Sequence, residues 1–344
     1  MKKILFSVFA VAAVMTACSK SDVVDAPNID TPITFEAYSG KVPVTKAASI
    51  DGEAELASFN VYAYDHSTEA QYSEVYSLIN GEAVVYDETT GWSTDAILFW
   101  PANMTKMNFI AYNTSANTTS TNLTYSAGKL AFNIDNDVVN QEDILVAQTT
   151  VAQPKSGDAE VSLKFDHILS RVYFTVVSDR PMFISSVELH GDFDTQLVYD
   201  FTATTNALTA GDNSTKATFT KGENTVNGYD LGLGSTGFTY ANSENSKVVG
   251  TDQNIVGSAS DEYFFMIAPS TDATAIKIAY NFMDEGQNPV SYTATVDLAD
   301  FTFETGKSYQ FKLVNTSSKI KFSVTEDSFE WGTGSTSDLV FVIE

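Results

Sequence analysis

Residues 161–176 read VSLKFDHILSRVYFTV and contain two adjacent strand patterns. In residues 161–165 (VSLKF) every second side chain is apolar, the period expected of a strand with one buried face. Residues 172–177 (VYFTVV) are rich in the β-branched and aromatic side chains that favour strands. One strand therefore ends and another begins within residues 167–171, and we place a domain boundary there.

Short runs of the same kind recur along the chain, separated by Gly, Asn, Asp and Ser, and no long helical periodicity interrupts them. This spacing predicts an all-β chain of sandwiches rather than βαβ units. A chain of 344 residues is long enough for two such domains, predicted as residues 33–168 and 169–344. The predicted strands are ITFEAY (33–38), FNVYAY (59–64), MNFIAY (107–112), VSLKF (161–165), VYFTVV (172–177), ISSVEL (184–189), YFFMI (263–267), IKIAYNF (276–282), YTATV (292–296), YQFKL (309–313), IKFSV (320–324) and LVFVI (339–343).

Residues 1–17 have the layout of an export signal, because Lys2 and Lys3 precede a short apolar segment that ends in small residues. That segment is shorter than the roughly 20 apolar residues that span a bilayer. Cys18, the only cysteine, directly follows the expected cleavage site, where a bacterial lipobox carries its lipidated thiol. This placement predicts a lipoprotein anchored through Cys18; an ordinary signal peptide with an incidental cysteine is the alternative. Residues 18–32 are polar, contain two Pro and are predicted to form a tether.

The charge and the rare residue types exclude several classes of protein. The chain carries 44 acidic residues against 19 Lys and Arg, for a formal net charge of −25. Such a surface repels nucleic acid, so nucleic acid is not an expected partner. With one Cys, three His and two Arg, disulfide scaffolds, zinc fingers and Arg-based phosphate sites are disfavoured. No catalytic or nucleotide-binding motif occurs, so we expect no catalytic residues, no enzyme activity, no cofactor and no metal.

The residues that could carry polar chemistry are better explained as structural. The three His are scattered along the chain, and packing rather than catalysis is the preferred role of His167. Asp135 with Asp137, and Asp192 with Asp194, could each supply two carboxylates to calcium. Neither run has the Gly and terminal Glu of a calcium-binding loop, so solvated turns are the preferred interpretation.

The three Trp were considered as platforms on which a sugar ring could stack. Trp100 lies in the apolar run ILFWP and is predicted to be core, and Trp331 is predicted to be structural. Trp92 follows Gly91 in a predicted turn. It is the one candidate for glycan stacking.

A set of phrases spans the chain in a fixed order: the lipobox at Cys18, ITFEAYSGKVPVTKA (33–47), FNVYAY (59–64), FWPANMTKMNFIAY (99–112), QEDILVAQ (141–148), VSLKFDHILSRVYFTV (161–176) and FETGKSYQFKL…IKFSVTEDSFEWG (303–332). Their order and spacing resemble the fimbrillin family of Bacteroidetes surface lipoproteins, which includes Mfa-like and FimA-like fimbrial subunits. The resemblance covers nearly the whole chain and is thin between residues 202 and 260. It implies two transthyretin-like β-sandwich domains in tandem and assembly into a pilus.

The resemblance also implies a maturation step. In this family an Arg- or Lys-specific protease removes the lipidated N-terminal segment, and loss of the first strand opens a groove that a neighbour's C-terminal strand fills. Here the displaced first strand is ITFEAY, with Ile33, Phe35 and Ala37 on one face. The candidate maturation bond is Lys46–Ala47, where the family carries Arg and this chain carries Lys. The alternative is that Lys46 is a solvated loop lysine.

Residues 339–343 (LVFVI) correspond to the donor strand that the resemblance implies. Leu339, Phe341 and Ile343 point to one side of a strand. The Gly- and Ser-rich residues 332–337 precede them as a predicted hinge. A strand in this position pairs either in trans with a neighbour or in cis with its own sheet, and both are left open here.

The leading hypothesis is a non-enzymatic structural or adhesive subunit of cell-surface fimbriae, exported as an outer-membrane lipoprotein precursor and polymerised by proteolysis-triggered strand exchange. Its expected partners are other fimbrial subunits, in a homo- or heteropolymer, the outer membrane through the lipid on Cys18, and an unidentified host or bacterial surface receptor. The alternative is a monomeric, lipid-anchored surface protein that binds glycans through exposed aromatics such as Trp92.

Overall fold

The computed structural model describes residues 31–39, 56–66, 72, 77–114, 123–155, 157–178, 182–203, 225–230, 238–240, 253–254, 264–283, 289–299, 301–316, 319–328 and 339–342. These segments are almost entirely β-strand, and the helical element among them is a single 3₁₀ turn at Val138–Asn140. Bilayer-spanning helices are absent from the same segments.

Each strand predicted from the sequence overlaps an observed strand, so the all-β prediction is confirmed. The described segments form β1 Ile33–Ser39, β2 Ser58–Asp65, β3 Ser77–Asp87, β4 Gly91–Thr94, β5 Lys106–Thr114, β6 Leu123–Ser126, β7 Lys129–Asn133, β8 Ile144–Ala152, β9 Ala159–His167, β10 Ser170–Ser178, β11 Met182–Asp194, β12 Gln196–Asp200, β13 Thr225–Asp230, β14 Phe238–Tyr240, β15 Gln253–Asn254, β16 Phe264–Ile267, β17 Ala273–Met283, β18 Pro289–Asp297, β19 Lys307–Thr316, β20 Lys319–Ser328 and β21 Leu339–Val342.

The N-terminal part is built on a seven-stranded sheet in the order β1-β9-β8-β5-β2-β3-β4. Strand β1 runs parallel to β9, and the other neighbours pair antiparallel. One face of this sheet encloses a core in which the Phe59 and Phe165 rings lie 5.2 Å apart. Residues 98–100, which follow β4, return to the start of β1 and bring the two edges of the sheet together around that core.

A three-stranded sheet, in the order β12-β7-β6, draws strands from both sides of the predicted boundary at residues 168 and 169. Its central strand β7 pairs antiparallel with β12 from Leu130 opposite Tyr199 to Phe132 opposite Leu197. One hydrophobic cluster likewise contains buried residues from both sides of that boundary. The division into residues 33–168 and 169–344 therefore stays a prediction.

The C-terminal part contains two further sheets. A six-stranded sheet runs β15-β10-β19-β20-β21, with β16 also paired to β10, and a five-stranded sheet runs β13-β11-β17-β18, with β14 paired to β11. Alternate side chains of β10 and β19, such as Phe174 and Phe311, are buried and stack with ring centroids 5.8 Å apart. Alternate residues of β17, Ile276 and Ile278, are also fully buried, as expected of strands with one face towards a core.

The short junction between β9 and β10 is fixed by contacts from distant segments. The Ser170 hydroxyl donates to the Glu304 carbonyl at 2.7 Å, and the Gly306 N–H donates to the Leu169 carbonyl at 3.1 Å. Gly306 has a φ of +67°, and a Cβ there would lie 2.8 Å from the His167 carbonyl oxygen. Glycine is therefore required for this close approach.

Candidate functional site

Strand β1 presents one apolar face to the N-terminal core. Ile33, Phe35 and Ala37 are buried, with 6%, 8% and 0% of their surface exposed, and the side chains between them are exposed or half-buried. The Phe35 ring meets Phe59 and Phe109 edge to face, with ring centroids 6.1 and 6.4 Å apart. The structure therefore places Ile33, Phe35 and Ala37 on one face of β1, as the sequence predicts.

The backbone of β1 is held mainly along one edge. It pairs with β9 over its whole length, beginning with Ile33 opposite Ala159. On the other edge only its start is held, where the Ile33 N–H donates to the Leu98 carbonyl and the Trp100 N–H donates to the Thr31 carbonyl, each at 2.8 Å. Among the described strands, β9 is the only ladder partner of β1, so β1 is an edge strand.

The contact between residues 98–100 and the start of β1 is not predicted by the sequence. Trp100 is 1% exposed, so its predicted core position is confirmed, and its indole N–H donates to the Met104 carbonyl at 2.8 Å. Its neighbours Ile97 and Phe99 are 71% and 49% exposed. The apolar run ILFWP (97–101) ends at a proline, and this pattern is the sequence feature that could have indicated an ordered segment there.

The surface beneath β1 would become a groove if that strand left its sheet. Strand β9 supplies a row of backbone donors and acceptors, and Phe59, Phe109 and Phe165 supply an apolar floor. These phenylalanines are at most 2% exposed with β1 in place. A sheet edge that loses its neighbour leaves unpaired N–H and C=O groups and favours pairing with another strand.

The C-terminal strand β21 lies at the edge of the six-stranded sheet. It pairs antiparallel with β20, with Leu339 opposite Val324 and Phe341 opposite Phe322. Ile343 and the predicted hinge at residues 332–337 lie outside the described residues. Strand β21 therefore pairs in cis with its own sheet, which is one of the two pairings that the sequence allows. Donation of β21 to a neighbouring subunit stays a prediction.

The predicted processing residues cannot be placed relative to this groove. Cys18, Lys46 and Ala47 lie outside the described residues, as do the signal peptide and most of the tether. Strand β1 ends at Ser39, before the predicted maturation bond in the sequence. Lipidation and cleavage therefore stay predictions.

His167 ends β9 and is buried beside a carboxylate. Its Nδ1 lies 2.6 Å from Asp143 Oδ2, and the two residues are 8% and 3% exposed. The pair joins the end of β9 to the residue just before β8, next to the junction with β10. This geometry supports the packing role predicted for His167.

The remaining candidate residues lie in separate parts of the structure. Trp92 is half-buried against Phe59 and Tyr86, each with a ring centroid 5.1 Å away, and its indole nitrogen is buried. The Asp137 N–H donates to Asp135 Oδ1 at 2.8 Å, which forms the predicted turn. No group of three metal-ligating side chains occurs in the part of the chain that the structure describes. Glycan binding at Trp92 stays a prediction.

The fold and the sequence were each compared with those of known proteins. A fimbrial protein from Bacteroides vulgatus ATCC 8482 has a similar structure, with a TM-score of 0.56 at 16% identity, over 87% of this chain and 99% of that one. A candidate cell adhesion protein from Bacteroides uniformis ATCC 8492 has a TM-score of 0.50 at 15% identity, again over 87% and 99%. No curated protein matches the sequence. Residues 45–326 match the fimbrillin-like family, and the chain therefore belongs to the fimbrillin-like family.

Proposed function

We propose that this protein is a structural or adhesive subunit of cell-surface fimbriae, exported as a lipid-anchored precursor and polymerised by strand exchange. Its membership of the fimbrillin-like family supports the fimbrial role. The observation that carries the exchange mechanism is the edge position of β1, whose apolar face fills a groove beside β9. The anchor is the lipid on Cys18, and the partners are other fimbrial subunits at the outer membrane.

Once β1 is lost, the free energy strongly favours binding of a replacement strand. Burying side chains of the size of Ile33 and Phe35 stabilises a fold by roughly 3–6 kcal/mol together. The whole stability of a typical domain is only about 5–15 kcal/mol. An open groove would also leave the backbone groups of β9 without their ladder partner, so a donated strand restores both contributions.

The C-terminal strand β21 is the proposed donor. Among the described strands it is paired with β20 alone, so its release breaks one described ladder and leaves β20 paired with β19. Leu339, Phe341 and Ile343 alternate along this segment, as do the apolar side chains of β1 that they would replace. Cleavage after Lys46 is the proposed trigger, because it separates β1 from the rest of the chain.

The test is to purify the protein from its native cell surface and read the mature N-terminus by mass spectrometry. A start at Ala47 is expected, together with oligomers that resist detergent. Lys46→Ala should keep the precursor N-terminus, whereas Lys41→Ala, five residues earlier in the sequence, should mature normally. A wild-type protein that keeps a diacylated Cys18 on its cell surface would mean that β1 stays in place, and would overturn polymerisation by strand exchange.

A further inference from the structure

Five tyrosines form a continuous group where the seven-stranded sheet faces the three-stranded sheet. We name this group the tyrosine cluster; its members are Tyr62, Tyr64, Tyr72, Tyr112 and Tyr125. They come from β2, β5, β6 and the segment between β2 and β3. The proposed strand exchange at β1 uses none of them.

Within the tyrosine cluster, Tyr62 and Tyr125 make the closest ring contact. Their ring centroids are 4.0 Å apart and the rings are inclined by 32°. The pairs that each makes with Tyr112 have centroids 6.0 Å apart. Aromatic pairs in proteins are usually 4.5–7 Å apart, so this pair is unusually close. Both residues are half-buried rather than sealed in the core.

The hydroxyl groups of this pair face other phenols. Tyr64 Oη donates to Tyr125 Oη at 2.9 Å, and the Tyr62 and Tyr112 oxygens lie 3.5 Å apart. Burial raises the pKa of Tyr125 above its ordinary value, so this residue is a neutral phenol at physiological pH. Oxidation of Tyr125 must therefore remove a proton together with an electron. The Tyr64 hydroxyl remains in place to donate to the phenoxyl oxygen that this step leaves.

We infer that Tyr62 and Tyr125 form a cross-linking site, at which hydrogen peroxide acting through a peroxidase joins the two rings covalently. Each phenol gives up one electron and one proton, and the two phenoxyl radicals couple by one carbon–carbon bond between the ring carbons ortho to the oxygen-bearing carbons. The hydrogens on those carbons then move to the oxygens, which restores both phenols. Overall, one hydrogen peroxide takes two hydrogen atoms and becomes two waters.

The cross-link would join β2 of the seven-stranded sheet to β6 of the three-stranded sheet. It would close the loop of chain that runs from Tyr62 to Tyr125, and closing a loop stabilises a fold by restricting the unfolded chain. A disulfide cannot do this here, since Cys18 is the only cysteine. The inference is independent of strand exchange, because it concerns two segments of one subunit.

The experiment exposes the purified full chain at low concentration to hydrogen peroxide and a haem peroxidase. The sites of trypsin cleavage place Tyr62 in the peptide 47–106 and Tyr125 in the peptide 107–129. We expect these two peptides to be recovered as one species that lacks two hydrogen atoms and has dityrosine fluorescence. The oxidised monomer should also unfold at a higher temperature than the untreated one.

Three matched variants identify the bond, because Tyr112 lies in the same tryptic peptide as Tyr125, and Tyr64 and Tyr72 lie in the same one as Tyr62. Tyr62→Phe and Tyr125→Phe each keep the ring but cannot form a phenoxyl radical there, and each should lose the linked species. Tyr112→Phe should keep it. The proposal is overturned if the linked species survives in Tyr62→Phe or in Tyr125→Phe, if Tyr112→Phe abolishes it, or if the oxidised wild-type chain has only links between molecules, as exposed Tyr292 could form. Thermal unfolding before oxidation shows whether each variant is folded.

Discussion

Phe35 holds β1 in its groove more firmly than any backbone hydrogen bond does. Its ring is 8% exposed and meets the rings of Phe59 and Phe109. A net hydrogen bond contributes about 0.5–1.5 kcal/mol, and a buried Phe side chain contributes about 1.5–3 kcal/mol from transfer alone. Burial of Phe35 therefore adds a substantial share to the stability that the ladder with β9 gives to β1.

This comparison predicts that Phe35→Ala lowers the free energy of unfolding of the uncleaved chain by about 3 kcal/mol, since it leaves a cavity against two phenyl rings. Urea denaturation measures the change. The matched control is Thr34→Ala on the exposed side of the same strand, which should change stability by less than about 0.5 kcal/mol. Equal effects of the two substitutions would show that the apolar face of β1 does not hold it.

At the scale of elements, β1 and β21 are alike, because each lies at the edge of its sheet and has a single ladder partner among the described strands. Strand β1 is parallel to β9 and β21 is antiparallel to β20. An edge strand can leave without breaking the ladders of the inner strands. The two elements that the proposed exchange moves are therefore ones whose removal breaks a single ladder each, although β9 then keeps only its pairs with β8 at Asp166 and His167.

The structure predicts that Phe341→Asp blocks assembly and leaves the monomer folded. In the polymer the new charge would enter an apolar groove, at a large desolvation cost, whereas in the monomer it lies on an edge strand. Assembly is measured by detergent-resistant oligomers, and folding by thermal unfolding. Val340→Asp, on the opposite face of the strand, is the control that should still assemble. An unfolded Phe341→Asp monomer would contradict the donor role.

Local pattern was enough to predict twelve of the twenty-one described strands and the buried face of β1, because alternation at Ile33, Phe35 and Ala37 is a property of adjacent residues. The strands that it missed include β4, β6, β7, β8 and β12. It was not enough to predict which strands pair. Residues 98–100 contact the start of β1, and β12 joins β7, through contacts between segments far apart in the sequence. No periodicity within either segment encodes its partner. The strand β3 escaped prediction for another reason: register shifts beside Tyr62 and Tyr64 disturb its alternation.

For the whole molecule, the shared three-stranded sheet ties the two predicted domains together. Its central strand β7 lies between β6, from the first half, and β12, from the second. The Gln141 side chain of the first half also accepts a hydrogen bond from the Met266 N–H of the second half at 2.7 Å. Neither half alone can complete the three-stranded sheet, whereas the seven-stranded sheet lies wholly in the first half and the other two sheets lie wholly in the second.

We therefore expect the chain to unfold in a single cooperative transition rather than in two. Residues 31–168 and 169–344, produced separately, should each be less stable than the full chain, because β7 and β12 lose each other and their shared cluster opens to water. Residues 31–168 should keep the core of the seven-stranded sheet, and mixing the two fragments should raise the stability of both. The denaturant slope m grows with the surface exposed on unfolding. The single transition should therefore have the m value expected for both halves unfolding together rather than for one half. Two separate transitions, or a fragment as stable as the full chain, would show instead that the halves are independent domains and that the β7–β12 ladder adds little to their stability.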